Sequence, residues 1–334
     1  MQVRTFFLFL FTVTSAVIAF YGCTGTPENS TQKTLILAHA MHATHPVTIG
    51  MNHMSERLEE ISGGNLVVKT YPTGQLGNER ALLELVQIGA ISMTKISGAV
   101  LENIVPPVRV FSLPYLFRDD EHYRNVIEGD IGKALLESGT EYQLKGLAYY
   151  DAGWRSFYTK NRPVLTPGDI NGMKIRVQPS VMAIDLIRTF GGSATPLAYG
   201  ELYTAFQGGI VDGAENNPPS FYSSRHYEVT DFYIINEHTA VPDFLVINSS
   251  LWDNLSEQEQ GWLRQAVDES VAYQHELWVA SVEESMQVVA DAGVEVIYPD
   301  KEPFREMVRP IYDRFQKDFP GLYGDWVEPI RLTE

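Results

Sequence analysis

The apolar positions of this chain recur with two alternating periods. Thr34–Ala38 is a short apolar run suited to a buried strand. After it, Val47, Met51, Met54, Leu58 and Ile61 recur at steps of four, three, four and three. That spacing puts them on one face of a helix opened by Pro46 and stopped by Gly63-Gly64. Leu66–Tyr71 reads as a second strand, Glu79–Ile88 as a second amphipathic helix and Ile91–Lys95 as a third strand. Strand and helix in that order predict a parallel sheet with flanking helices.

Asp119–Ser138 reads as one helix and Leu144–Tyr150 as a strand. Trp154–Lys160, Met173–Val177 and Val181–Phe190 then begin a second α/β unit, with Pro163, Pro167, Gly168, Asn171 and Gly172 marking turns. Glu201–Gly208 gives a short helix after Pro196, and Ile210–Ala214 and Val241–Asn248 read as further strands. Ser256 and Glu259 fit a capping box. The helix it opens runs towards Ala290, with Leu263, Ala266, Val267 and Val271 on one face. That exceeds the usual length of roughly 8–20 residues and suits a spine linking two lobes. At 334 residues the chain is also longer than the roughly 250–300 at which a single core stops growing. Two α/β lobes house an enzyme as readily as a binder.

The N-terminus changes the picture of where the protein works. Met1–Arg4 carries one positive charge, Phe6 to Phe20 is almost wholly apolar, and Phe20-Tyr21-Gly22-Cys23 closes the segment. A short basic region, a compact apolar run and a small residue before the cut describe an export signal. The run is short for a membrane span, which needs ~20 apolar residues. Cys23, the one cysteine, stands where a bacterial lipoprotein box has its lipidated residue, although Phe20 replaces the usual leucine. An ordinary signal peptide with an incidental cysteine is the alternative. With one cysteine no internal disulfide forms. Thr24–Lys33 is polar and reads as a tether.

Composition is that of a soluble globular protein, with 44% hydrophobic and 20% charged residues. The formal charge of −17 argues against nucleic acid or anionic lipid as a partner held by a broad field. An anionic ligand must be held by a few placed cations. Two arginines qualify. Arg155 follows Asp151-Ala152-Gly153-Trp154, and Arg176 lies inside the apolar strand Met173–Val177. A guanidinium in a core-bound strand is costly unless a partner meets it, and its planar fork matches a carboxylate. For each, an internal ion pair is the competing reading. Asp212-Gly213-Ala214-Glu215-Asn216-Asn217-Pro218-Pro219 offers two amides, or simply a turn. His39, His42 and His45 recur at steps of three. The Pro46 junction places them in a loop, which favours residues lining a polar cleft, or plain loop histidines, over zinc ligands. No metal and no cofactor is expected. There is no G-x-S-x-G, G-x-x-x-x-G-K-[ST], G-x-G-x-x-G or H-E-x-x-H signature, and the lone cysteine leaves no thiol for catalysis in the body. An acid/base carboxylate pair stays open.

Five segments in order, Tyr71-Pro72-Thr73-Gly74-Gln75-Leu76-Gly77, Phe111–Phe117, Gly153-Trp154-Arg155, Met173-Lys174-Ile175-Arg176-Val177 and Val211–Asn216, resemble the solute-binding subunits of TRAP (tripartite ATP-independent periplasmic) transporters, the dicarboxylate-binding-subunit family. The resemblance runs from about residue 34 to the C-terminus. It implies a two-lobed periplasmic-binding-protein-like α/β fold with a cleft between the lobes and a long helix crossing both. The expected division is 1–23 signal and lipobox, 24–33 tether, 34–152 plus 241–280 the first lobe, and 153–240 plus 281–330 the second. It implies a carboxylate held bidentately by Arg176, supported by Arg155 and Asn216, with Tyr199 against the ligand, no catalysis, and TRAP membrane subunits as partners. The stretches 38–46, 149–153 and 215–222 are similar to members associated with hexuronates. On that reading His39, His45, Glu79, Lys95 and Asn217 would serve the sugar hydroxyls. The alternatives are a C4 dicarboxylate, with Lys95 as the second cation, an aldonate or keto acid, a sugar-acid-processing enzyme, or a sensory receptor with the same cleft.

Overall fold

The computed structural model describes residues 32–334. The export signal, Cys23 and nearly all of the tether therefore lie outside the described residues. Lys33, expected to end the tether, instead begins the first strand, and its Nζ meets Glu259 at 2.8 Å.

The first lobe is built on a five-stranded sheet. Its strands are β1 (Lys33–Ala38), β2 (Leu66–Tyr71), β3 (Met93–Ser97), β4 (Leu144–Tyr150) and, from late in the chain, β10 (Asp243–Asn248), in the order β2-β1-β3-β10-β4. β1 is parallel to β2 and β3, as the strand–helix alternation predicts, but β10 runs antiparallel to both its neighbours. Helices α1 (Pro46–Ser62), α2 (Glu79–Gln87) and α3 (Gly98–Leu101) join the early strands. The helix read over 119–138 is two helices, α4 (Asp120–Glu128) and α5 (Asp130–Glu137). Gly129 has an extended ψ of −175° and both ends α4 and starts α5. A Cβ there would lie 2.6 Å from the Asn125 carbonyl oxygen.

The second lobe holds β5 (Trp154–Thr159), β6 (Lys174–Val177), β7 (Ser193–Pro196), β8 (Gly213–Asn216), β9 (Phe232–Ala240) and β11 (Glu295–Ile297), in the order β11-β9-β5-β8-β6-β7. Between them lie α6 (Val181–Thr189), α7 (Leu202–Gln207) and α8 (Pro218–Ser223). The strand expected at Ile210–Ala214 sits later, because Asp212 turns the chain by accepting from Lys174 N, and Glu215 and Asn216 find buried partners. β9 has no sequence-based counterpart. Asn236 and His238 interrupt its apolar run, yet both are buried and bonded to each other, and a register shift between Arg155 and Phe157 accommodates Glu237 at φ +47°.

The chain passes between lobes at Asp151–Gly153 and at Val241–Pro242, then through α9 (Ser249–Asp253) into α10 (Glu257–Asp291). Ser256 caps α10 with the capping box expected. At 35 residues α10 is roughly 52 Å long. Leu263, Ala266 and Val267 join the core of β1, α1 and β10, whereas Val289 joins that of Tyr158, Phe206 and Phe221. One helix is thus anchored in both cores. Midway, Gln274 receives the Asp151 N–H and donates to the Asp151 carbonyl, and His275 Nδ1 pairs with the Asp151 carboxylate at 2.5 Å. The C-terminal helices return to α4, where Arg118 and His122 hold the carbonyls of Arg331 and Ile330.

Gly153 sits at the first crossing with φ +55°, and a Cβ there would lie 2.9 Å from the Trp278 ring. Gly153→Ala is expected to cost about 1–3 kcal/mol of stability, from the left-handed backbone and the ring contact together. Urea unfolding measures it; a variant as stable as the parent would show that the crossing relaxes freely.

Candidate functional site

The chemistry converges where β6 and β8 meet the loop ends of the first lobe. β6 lies between β7 and β8, and Ile175, Arg176 and Val177 are all buried there while Lys174 at its start is exposed. Arg176 is only 1% exposed. Its Nε and Nη2 both donate to one acceptor, the Leu197 carbonyl oxygen, at 3.0 and 2.8 Å. Its Nη1 is buried with no hydrogen-bond partner among the described residues. Burial pulls this guanidinium below the usual arginine range, and the nearby Tyr158 and Glu215 only partly oppose it.

Arg155, from β5, has the opposite surroundings. Its Nε meets Glu215 Oε2, its Nη2 donates to Glu215 Oε1 at 2.9 Å and to the Glu215 carbonyl at 2.8 Å, and its Nη1 donates to Asn216 Oδ1 at 2.8 Å. Burial opposes the charge, but Glu215 outweighs it and raises the guanidinium. Burial likewise pushes the Glu215 carboxyl up, and Arg155 with His238 overcomes this to hold it at about 2. Asn216 Oδ1 also accepts from the Asn217 N–H at 2.9 Å, so oxygen and not nitrogen faces Arg155, and the amide Nδ2 has no partner among the described residues.

The remaining expected residues divide. Tyr199 lies on the cleft wall, its hydroxyl donating to the Ser220 carbonyl at 3.1 Å and meeting Ser224 Oγ. Asn217 is committed to the fold at both ends: Nδ2 donates to the Ala152 carbonyl and Oδ1 caps α8 by accepting from Ser220 N. Lys95 is held by Glu79 and Asp243, both at 3.0 Å, a buried cation between two carboxylates. Burial works against its charge, but the two carboxylates win and raise it. Asp243 is raised by burial, against the pull of Lys95. His45 caps α1, Nδ1 accepting from Val47 N at 3.2 Å, which leaves Nε2 to donate to Ser220 Oγ of the other lobe at 3.1 Å. His39 is fully buried, and among the described residues neither ring nitrogen has a hydrogen-bond partner.

Between the lobes a cleft of about 570 Å³ is lined by Arg176, Tyr199 and Glu79. His42, Asn78, Gln178 and His226 line it as well. Gln178, Asn78 and His226 had no signal in the sequence, since isolated polar residues outside a motif look alike. His226 is the most informative of them. Its Nδ1 pairs with the Tyr158 hydroxyl at 2.9 Å, and its ring stands edge-on to Tyr199 at 5.9 Å. A second cavity, of about 710 Å³, is larger but contains none of the buried cations.

Two α/β lobes joined by two strand crossings and a spine helix, with a cleft between them, define the architecture of a two-lobed binding protein. The chain belongs to the bacterial extracellular solute-binding protein family 7, whose model matches residues 37–318. It is 31% identical over 274 residues to the 2,3-diketo-L-gulonate-binding periplasmic protein of Escherichia coli, covering 81% of this chain and 84% of that one. A TRAP periplasmic solute-binding protein from a Bradyrhizobium species, solved in complex with D-galacturonate, is 40% identical with a TM-score of 0.86 over 90% of this chain and 99% of that one. Another from Roseobacter denitrificans, solved with bound β-D-glucuronate, is 34% identical with a TM-score of 0.88 over 90% of this chain and 100% of that one. Among the described residues no helix is long and apolar enough to cross a membrane.

Burial holds His39, His45 and His226 at about 3, against 6.5 when free, with Lys95 adding to the first two and Arg176 to the third. A folded pKa below the unfolded one means that the unfolded chain takes protons the fold refuses. Stability is then full above 6.5 and falls as pH drops from 6.5 towards 3. Glu215 adds a loss that starts near 4.5 and is complete near 2. The urea midpoint is therefore expected to fall already between pH 6.5 and 4.5, before most carboxylates titrate; a flat midpoint over that window would contradict neutral buried imidazoles.

Proposed function

We propose that this protein captures a hexuronate, galacturonate or glucuronate, for a TRAP importer. The observation that carries the reading is Arg176, whose fork is half used by one carbonyl and which no carboxylate among the described residues contacts directly. A ligand carboxylate would meet the free edge of the fork, Asn216 Nδ2 would add a donor, and Tyr199 would cover one face. His42, His226, Gln178 and Asn78 are suited to sugar hydroxyls. The lobes would close about the crossings at 151–153 and 241–242. Solved relatives with bound glucuronate and galacturonate support the same ligand class.

The local charges favour a monoacid. Lys95, the candidate second cation, already faces two carboxylates, and Arg80 at the cleft wall is exposed and paired with Glu84. A second ligand carboxylate would find no free buried cation, which weighs against a C4 dicarboxylate. The role is capture and release: the ligand is returned unchanged.

Calorimetry on Arg176→Met tests this. Losing the partner of a buried carboxylate typically costs ~3–5 kcal/mol, so galacturonate affinity should drop by two orders of magnitude or more. The unliganded variant should melt no lower than the parent, because an uncompensated buried charge has gone. Arg155→Ala should melt lower, since it strands Glu215. In the same titrations galactarate, the diacid, should bind at least about ten-fold more weakly than galacturonate, and recovered galacturonate should be unchanged in mass. Unaltered affinity in Arg176→Met would refute the assignment.

We also propose that residues 1–23 direct export and that Cys23 carries a lipid anchor, on the strength of the segment Phe20–Cys23. Cells fed a labelled fatty acid should label the parent and not Cys23→Ser; labelling of both, or of neither, would rule the anchor out.

A further inference from the structure

The cavity of about 710 Å³ shares no lining residue with the carboxylate cleft. Its walls come from three bodies: α4, α5 and β4 of the first lobe, β5 and β9 of the second, and α10 between them. Rings form much of it, namely Tyr123, Tyr149, Trp154, Tyr233 and Trp278. Several are fixed in place. Trp154 Nε1 donates to Asp120 at 2.5 Å, the Tyr149 hydroxyl donates to the Gly132 carbonyl at 2.7 Å, and Trp278 lies against Gly153.

Charge decides what such a cavity would take. Asp120, Glu128, Asp151, Glu237 and Asp268 line it, against the cations Arg124 and Lys133. Glu237 is matched by Lys301, and Lys133 leans towards Asp130 at 3.9 Å, so those two leave the balance unchanged. Asp151 is bound by His275 Nδ1, and the other ring nitrogen of His275 meets Arg124 at 3.4 Å. Among the described residues neither Glu128 nor Asp268 pairs with a cation, and both are exposed. Aromatic faces and carboxylates attract the same thing, a positive charge, and the rings do so best for a weakly hydrated ammonium. A neutral apolar guest would gain from the rings alone, and an anion would be repelled by both. No group of three or more histidine, cysteine or acidic side chains among the described residues is placed to hold a metal ion.

We propose that this cavity is a second binding site, selective for an organic ammonium ion held against the rings and facing Glu128 and Asp268. It is independent of the carboxylate cleft in residues and opposite in charge preference.

The full chain is titrated with choline by calorimetry and tryptophan fluorescence, with 3,3-dimethylbutan-1-ol as the neutral carbon isostere. Choline is expected to saturate in the ~mM range, at least about ten-fold tighter than the alcohol. Glu128→Gln combined with Asp268→Asn, both exposed and so compatible with folding, should weaken choline about ten-fold and leave galacturonate binding as in the parent. No saturation by choline, equal binding of the alcohol, or full affinity in the double variant would each overturn the proposal. Galacturonate is titrated separately on the same samples, so a failure at the Arg176 cleft is read independently of a failure here.

Discussion

The constraint on which the cleft depends is that one buried guanidinium has no carboxylate of its own. Among the described residues three cations are buried: Lys95, Arg155 and Arg176. The first two are compensated, Lys95 by a pair of carboxylates and Arg155 by a bidentate contact with Glu215. Leaving a charge uncompensated inside a protein is destabilising by several kcal/mol unless something meets it. Arg176 meets only the Leu197 carbonyl. The strain is local and directional: the fold holds half of the fork and presents the other half. If Arg176 takes the ligand carboxylate as proposed, Arg155 would act less as a second ligand clamp than as the device that orients Asn216. By donating to Oδ1 it fixes which end of that amide faces away.

The same logic extends to the scaffold. A cleft that closes needs few connections between its lobes, and those must bend without losing hydrogen bonds. The crossing at 151–153 meets this by borrowing partners from α10: Gln274 satisfies both the N–H and the carbonyl of Asp151. Glycine at 153 adopts the left-handed backbone that lets the chain turn beneath Trp278. Because α10 is anchored in both cores, it transmits the position of one lobe to the other as a single stiff element.

Much of this was legible in the sequence, and most of the exceptions share a cause, the break at Gly129 within 119–138 standing apart. β1 through α2, β4, β5 and α10 carry plain periodicity, and their limits fall within two residues of expectation. The strands that were misplaced or missed in the second sheet's centre are those where burial is polar. β8 is expected earlier, at Ile210–Ala214, because Glu215-Asn216-Asn217 is hydrophilic, yet Glu215 and Asn216 belong to the strand and are buried by pairing with Arg155. β9 was invisible because Asn236 and His238 satisfy each other inside the sheet. The two arginines could be nominated from their strands, but which one lacked a partner depended on Glu215, a contact between strands that spacing cannot show. Asn217 and Lys95 enter the ligand reading through the hexuronate-type resemblance and the hydrogen-bonding capacity of their side chains. The fold had prior claims on both, through the α8 cap and the Glu79–Asp243 pair.

If Arg176 holds the ligand as proposed, the overall charge of −17 sharpens what it must do. An anionic ligand approaching such a protein is repelled at long range, so electrostatic steering works against association. Screening confines that repulsion to about 8–10 Å in physiological salt. Within the cleft the ligand leaves the screened field and meets a single cation in a medium of low effective dielectric, where the same charge acts far more strongly. Selectivity for anions is therefore a property of the last few ångströms, and affinity must reside mainly in slow release rather than fast capture. The neutral histidines fit that division. A protonated His226 would add positive charge to the cleft wall; burial keeps it uncharged, so that under the proposed function Arg176 would be the buried cation left to select the ligand.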